Sequence, residues 1–359
     1  MGLAGAAIAA RWTGRAAAEQ AVPSLGDLAA RAGVRFGSAI GEEALDSPAT
    51  RALYFRHCRM LTTDPGFIMP FVRPEPQRTT FGVTDRLVAA AESAGVPIRG
   101  HCLIWNDALP DWMRRLSRGE VDRMLDRHIE ETMARYRGRI ESWDIVNEPI
   151  NPYEPAPGHW RKGPWLEHLG ESYVPRALRR AASADPSARL FINETWVQAG
   201  DRAGLVARRR LLELIDSLLG AGLSLHGIGL QCHMDAAKPF EPDGFEAFLR
   251  EIARRGLDIY ITELDVDDLE LDGDEAARDR VVAATYGSLV STVLRVPAVK
   301  AIITWQLADH LTWLRNPWFT KSFPARRLRF RSRSLPFDDR HRPKLAHKAI
   351  ADAFLARAL

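Results

Sequence analysis

The chain contains no apolar run long enough to cross a bilayer, which removes the membrane-spanning helical classes. Cysteine is scarce: Cys58, Cys102 and Cys232 are the only three, and none sits in a CxxC pair. At least one thiol must stay unpaired, so there is no disulfide framework, and the three read as small buried hydrophobes. Charge of one sign is scarce too, since a net +3 over 359 residues is too small to argue for a nucleic-acid partner. No glycine-rich phosphate loop follows a strand, as a dinucleotide-binding fold would require. No metal-ligand spacing appears; the acidic stretch Asp265 to Asp274 lacks the glycine placement of a calcium loop and reads as a solvated lead-in to a helix. Neither a metal nor a cofactor is expected.

What is present suits a globular chain with a sizeable core: 46% hydrophobic and 26% charged residues. The length of 359 residues allows two domains or one large α/β barrel. Ten Trp and fourteen Phe supply aromatic planes on which sugar rings can lie, although such residues also fill cores. The opening Met1 to Ala10 resembles the apolar part of a secretory signal, and Ala16-Ala17-Ala18 offers a small-residue cleavage site, but basic residues ahead of the apolar run are missing. Residues 1–20 are read as a truncated signal, which makes the protein secreted or periplasmic, or else as an Ala-rich extension of a cytoplasmic one. Residues 21–359 form one domain.

Short β-rich runs alternate with amphipathic helical stretches along that domain. Strands are expected at 34–40, 58–63, 96–105, 143–148, 189–194, 225–233, 258–263 and 299–305. Between them the helix over 121–136 carries Val121, Met124, Leu125, Ile129 and Met133 on one stripe. Eight strands separated by helices predict a (β/α)₈ barrel rather than a doubly wound sheet. Several strands end in polar or aromatic residues: His101 to Trp105, Asn147-Glu148, Asn193-Glu194, Gln231 to His233, Glu263 and Trp305. In such barrels the carboxyl ends of the strands form the active face.

Trp143-Asp144-Ile145-Val146-Asn147-Glu148-Pro149 is the most informative stretch, an apolar strand running into a polar pair and stopped by proline. Taken alone, Glu148 has two readings: a proton donor that burial helps to keep its proton, or a structural cap for the next helix. A second glutamate, Glu263, ends strand seven. Two carboxylates across a barrel mouth are what glycosidic hydrolysis requires, one protonating the leaving oxygen and the other attacking the anomeric carbon or activating water.

With Arg99-Gly100-His101, Trp143 to Glu148, Gly227-Ile228-Gly229-Leu230-Gln231-Cys232-His233, Ile261-Thr262-Glu263-Leu264-Asp265, and Trp305 with Asp309 and Trp313, the chain resembles glycoside hydrolase family 10, the retaining endo-β-1,4-xylanases, from about Phe36 to the C-terminal helix. The resemblance implies that Glu148 is the general acid/base and Glu263 the nucleophile. It implies that Asn147 and His101 hold the sugar being cleaved, that His233 hydrogen-bonds Glu263 with Gln231 nearby, and that Trp105, Trp305 and Trp313 wall the cleft. Asn193 and Glu194 match a family position without a firm catalytic role. The implied partner is a polysaccharide or oligosaccharide, acted on by a monomer.

The chain also departs from that pattern. The family's Glu-Asn-x-x-Lys after strand two, which grips sugars on the non-reducing side, aligns with Asp64, Pro65 and Ile68, so the Asn and Lys donors are absent. Its Trp-His-x-Gln reads Trp105-Asn106-Asp107-Ala108. Each lost hydrogen bond to substrate costs on the order of 1 kcal/mol of binding. The basic run Lys321 to Arg333 is either a solvated loop or a contact for acidic decorations on a polysaccharide. Rival readings are a binding protein on the same scaffold, a β-glucanase and an exo-acting xylosidase.

Overall fold

The computed structural model describes residues 22–155, 158–317 and 330–358. Residues 1–20, read above as a leader or an extension, lie outside them, as does most of the basic run, of which Phe330 to Arg333 are described.

Eight parallel strands close on themselves. They are β1 (Arg35–Ile40), β2 (Leu61–Thr63), β3 (Ile98–Gly100), β4 (Ser142–Asn147), β5 (Arg189–Glu194), β6 (Gly227–Leu230), β7 (Asp258–Asp267) and β8 (Val299–Thr304). Each pairs with the next, and β1 pairs back to β8 through Arg35↔Ala301 to Ser38↔Thr304. The helices that follow them in turn are α1 (Pro48–His57), α2 (Gly82–Ser93), α3 (Arg118–Arg135), α4 (Tyr173–Ala184), α5 (Arg202–Gly220), α6 (Pro242–Arg254), α7 (Glu275–Leu294) and α8 (Leu345–Ala358). This is the expected (β/α)₈ barrel.

Local chemistry explains the elements. α3 begins with a reciprocal capping box between Ser117 and Glu120, and the stripe expected from its spacing is buried together with His128 and Thr132. The carboxylate of Asp274 caps α7 by accepting from the Ala277 N–H. Outside the barrel, Trp143 packs under the helices with its ring centroid 4.5 Å from that of Phe67. Inside, Met60, Phe191, Tyr260, Ala301 and Ile303 form a separate buried cluster. The Arg99 guanidinium lies against it, 4.6 Å from the Phe191 ring and 5.3 Å from the Tyr260 ring, and pairs with buried Asp144. An apolar plug thus fills the barrel, and one layer of charge separates it from the carboxyl ends of the strands.

Three expectations need correction. The run over 96–105 is two pieces, β3 and Ile104–Trp105, both paired to β4, with a cis peptide between His101 and Cys102. Between them the Leu103 N–H donates to the Asp144 carbonyl while the His101 ring meets the Asp144 carboxylate. The run over 225–233 breaks in the same way. Cys232 adopts φ +58°, and His233–Asp235 then pairs with the extension of β7 instead of continuing β6. Finally, Asp265 and Asp268 are buried rather than solvated. Asp268 pairs with Arg278 at 2.8 Å and accepts from the Ser332 hydroxyl and the Arg333 N–H, which ties the end of the basic run to α7. Arg333 itself pairs with Asp279.

Candidate active site

The strand ends bring both glutamates into one hydrogen-bonded network. Glu263 is 5% exposed, and one of its carboxylate oxygens lies 2.6 Å from the Asn193 amide nitrogen. Thr262 donates to the Asn193 carbonyl oxygen at 2.7 Å, which fixes the orientation of that amide. The same Asn193 nitrogen donates to the Asn147 carbonyl oxygen at 2.8 Å, and the Asn147 nitrogen reaches Glu148 Oε1 at 3.4 Å. The two carboxylates are therefore linked through two amides rather than left as isolated buried charges. Gly229 makes this possible, because a Cβ there would lie 2.2 Å from the Asn193 side-chain oxygen. That close approach is the physical content of the Gly-x-Gly-x-Gln run.

The other oxygen of Glu263 faces His233 Nε2 at 3.2 Å, and His233 Nδ1 lies 2.9 Å from Asp265. Burial opposes charge on this imidazole, but Asp265 and Glu263 outweigh it and push its pKa up to about 10. At neutral pH His233 is thus an imidazolium donating to both carboxylates. Asp265 accepts a further bond from the Trp313 indole N–H at 2.6 Å. His101, 2% exposed, has Nδ1 3.0 Å from Asp144. Burial works against its charge as well; Cys102, Asp144 and Glu263 nonetheless raise its pKa well above the ordinary value.

Glu148 is held differently. Its φ of +50° lies in the left-handed region, and its N–H donates to the Asn193 carbonyl at 2.8 Å. Gln231, expected near Glu263, instead donates to Glu148 Oε1 at 2.7 Å. Oε2 pairs with Arg161 at 2.9 Å, a residue that strand-end reasoning did not reach. The loop after β4 doubles back through an Ile150↔Trp160 bridge, which returns Arg161 beneath Glu148, where its Nε donates to the Glu148 carbonyl at 2.7 Å. Buried Glu194, expected to be structural, accepts from the Ile150 and Thr195 N–H groups. Burial pushes its pKa up to about 8 against the pull of Arg161, so it carries a proton at neutral pH.

The aromatic residues line the opening. The Trp305 ring lies 5.3 Å from that of His101, and the Trp313 ring 5.3 Å from that of His233. Trp105 keeps its indole N–H buried and without a partner among the described residues. A cleft of about 430 Å³ runs from His233, Asp265 and Trp313 out to Tyr153, Trp196 and Phe240. Tyr153 and Trp196, edge to face at 5.3 Å, were missed because they sit on loops with no periodic signal. The lining of that cleft includes neither Glu148 nor Glu263, nor any of Asp64, Pro65, Ile68 and Ala108. Ile68 is buried, while Asp64 accepts from Gln306 at 2.8 Å, and Gln306 in turn accepts from the Tyr54 hydroxyl at 2.6 Å. Asp309 is also structural: Lys344 pairs with it at 3.0 Å, anchoring the start of α8.

Comparison with known proteins agrees with this geometry. The family model for glycosyl hydrolase family 10 matches residues 24–353. The chain is 29% identical over 326 residues to endo-1,4-beta-xylanase C of Phanerodontia chrysosporium, covering 89% of this chain and 76% of that one. It is 29% identical over 340 residues to an endo-1,4-beta-xylanase of Geobacillus stearothermophilus, covering 90% and 97%. Among solved structures, xylanase 10B from Thermotoga petrophila RKU-1 in complex with xylobiose superposes with a TM-score of 0.82 at 27% identity, covering 94% of this chain and 98% of that one.

Proposed function

The chain belongs to glycosyl hydrolase family 10, and we propose that it hydrolyses internal β-1,4 linkages of xylan or a related plant cell-wall polysaccharide, with retention. The observation that carries this reading is the amide relay from Glu263 through Asn193 and Asn147 to Glu148. It supports the reading because it joins two carboxylates with unlike neighbours in one hydrogen-bonded network.

In the first step the Glu263 carboxylate attacks the anomeric carbon while Glu148 gives its proton to the departing glycosidic oxygen, so the C–O bond breaks as the glycosyl–enzyme ester forms. In the second, Glu148, now a carboxylate, takes a proton from water as that water attacks the anomeric carbon and frees Glu263. The imidazolium of His233 faces the nucleophile's negative charge before attack and after release. Asn147, with its oxygen taken by Asn193, keeps an amide N–H for the hydroxyl next to the anomeric carbon. Tyr153, Trp196 and Phe240 offer apolar faces for sugars further along the cleft.

The test is hydrolysis of xylan, glucuronoxylan and mixed-linkage glucan by the purified protein, with product sizing and the anomeric configuration read by NMR. Oligosaccharides of the β-anomer from xylan are expected. Monosaccharide as the main product, or an inverted anomer, contradicts the reading. A second reading, a carbohydrate-binding protein without turnover, is favoured only by the missing donors at Pro65, Ile68 and Ala108. Absence of turnover on aryl β-xylobioside by wild type, with binding retained, selects it.

A further inference from the structure

We propose that Arg161 is a positioning residue that holds Glu148 in its proton-donating pose, and that Asp107 tunes it by drawing off part of the guanidinium's charge. The proposal rests on the glycosidase reading of Glu148.

Arg161 is 7% exposed, yet each arm of its guanidinium is assigned. Nη2 pairs with Glu148 Oε2 at 2.9 Å and donates to the Ile150 carbonyl at 3.3 Å; Nε donates to the Glu148 carbonyl at 2.7 Å; Nη1 pairs with Asp107 at 2.5 Å. One side chain thus grips both the backbone and the carboxylate of a residue whose φ is positive. A planar fork can do this and a lysine ammonium cannot. The backbone of Arg161 is fixed in its turn: Asn106 accepts from the Trp165 N–H at 3.2 Å and donates to the Arg161 carbonyl at 3.1 Å. Gly163, at φ +148°, lets Asn106 in, since a Cβ there would lie 2.6 Å from the Asn106 oxygen. Asn106 and Asp107 follow Trp105 in the stretch Trp105-Asn106-Asp107-Ala108, so this one turn holds both the backbone and the guanidinium of Arg161.

The charges around Glu148 make this balance consequential. Besides Glu148 and Asp107, Glu194 is the carboxyl that faces Arg161, while His233 and His101 are paired with Asp265 and Asp144 on the side of Glu263. The Glu194 oxygens accept the Ile150 and Thr195 N–H groups rather than the guanidinium, which leaves Arg161 to be divided between Asp107 and Glu148. A general acid paired wholly to a guanidinium would give up its proton too early. Sharing the cation with Asp107 limits that pull, and Asp107, its side chain 48% exposed, exerts the weaker, solvent-screened part of the effect.

The experiment measures kcat/KM against pH for wild type, Arg161→Gln, Arg161→Lys and Asp107→Ala, on aryl β-xylobiosides with good and poor leaving groups. Acid assistance matters for poor leaving groups and little for good ones. Arg161→Gln is expected to lose at least about tenfold on the poor leaving group and under about threefold on the good one. It should also move the high-pH limb up by about one unit, because a cation beside the acid is gone. Arg161→Lys should lose the grip on the Glu148 carbonyl and fall between. Asp107→Ala should move the limb down by about half a unit. Equal losses on both leaving groups with unmoved limbs would mean a merely structural loop and overturn the proposal; so would shifts of the same sign in Asp107→Ala and Arg161→Gln. Asp107→Ala alters a half-exposed side chain and keeps the test open if Arg161→Gln fails to fold. If wild type ignores xylobiosides but cleaves another aryl glycoside, the xylan reading falls and the leaving-group comparison proceeds on that glycoside. Inertness toward all of them overturns both.

Discussion

The two glutamates of the candidate site are supported from different parts of the chain. Glu263 is gripped by Asn193, buried at the end of β5, and by His233, partly exposed just beyond β6, each backed by a further buried group. Glu148 takes one bond from Gln231 and one from Arg161, and Arg161 arrives on a returning loop. Support for Glu263, the proposed nucleophile, comes from the strand ends, whereas Glu148, the proposed acid/base, is shared between a strand-end group, Gln231, and a connection that brings Arg161. A wall fixes position with little freedom to drift, while a loop can change through a few substitutions without disturbing the sheet. On the proposed roles, the attacking group is the rigid partner, and proton delivery is the more adjustable one.

The contrast can be broken at its strongest point first. Glu263→Ala should remove turnover by on the order of 10⁶-fold on every glycoside tested. Glu148→Ala should cost between about 10² and 10⁴-fold on unactivated substrate and much less on good leaving groups; steady-state rates across a leaving-group series decide. Equal losses from the two variants would end the asymmetry.

Next comes Asn193→Ala, which strips the 2.6 Å bond from Glu263 and leaves the Thr262 hydroxyl unpaired. A kcat/KM loss of about 10- to 100-fold is expected, together with a lower Tm by calorimetry. A loss confined to Tm would show that the wall supports the fold and not the nucleophile.

A smaller effect should appear in stability against pH. Glu194 in the folded chain keeps its proton up to about 8, against an ordinary 4.5, so its contribution is fully present below about 4.5 and is lost as pH rises through 8. His233 behaves likewise between its ordinary 6.5 and about 10. His101, raised as well, adds to the loss above 6.5, so wild-type Tm should fall between pH 5 and 10 in two overlapping stages. Glu194→Gln should flatten the lower stage, on the acid/base side, and His233→Asn the upper, on the nucleophile side. A single stage insensitive to both variants would refute the assignment. The smallest effect expected is that of Ala108→Gln, which restores one donor and should raise kcat/KM on xylooligosaccharides about fivefold.

The same division separates what the amino-acid order revealed from what it hid. Glu148, Glu263, Asn147, His101 and His233 sit at or next to the ends of apolar β runs, where a polar residue is conspicuous because the pattern around it is regular. The barrel was legible for the same reason, since its strands and helices announce themselves by period. Arg161 follows an irregular loop, and nothing local distinguishes it from the other arginines of a chain with 49 basic residues. Asp265 and Asp268 looked solvated because they open an acidic stretch, yet their partners Trp313, Ser332 and Arg333 lie 48 to 65 positions away. Asn193 was visible as a polar strand end, but its part in joining the two carboxylates depends on the missing side chain at Gly229. Sequence period reports which face a residue takes. It is silent on which residue from another strand meets it there.

The bond between the Trp313 indole and Asp265 has a practical consequence for anyone reshaping this cleft. The ring that a sugar would rest upon also anchors the carboxylate that orients His233, and through it Glu263. Widening the groove by replacing Trp313 therefore retunes the reactive carboxylate as well, so substrate range and turnover cannot be optimised as separate traits at this position. A library that varies Trp313 should vary Asp265 alongside it.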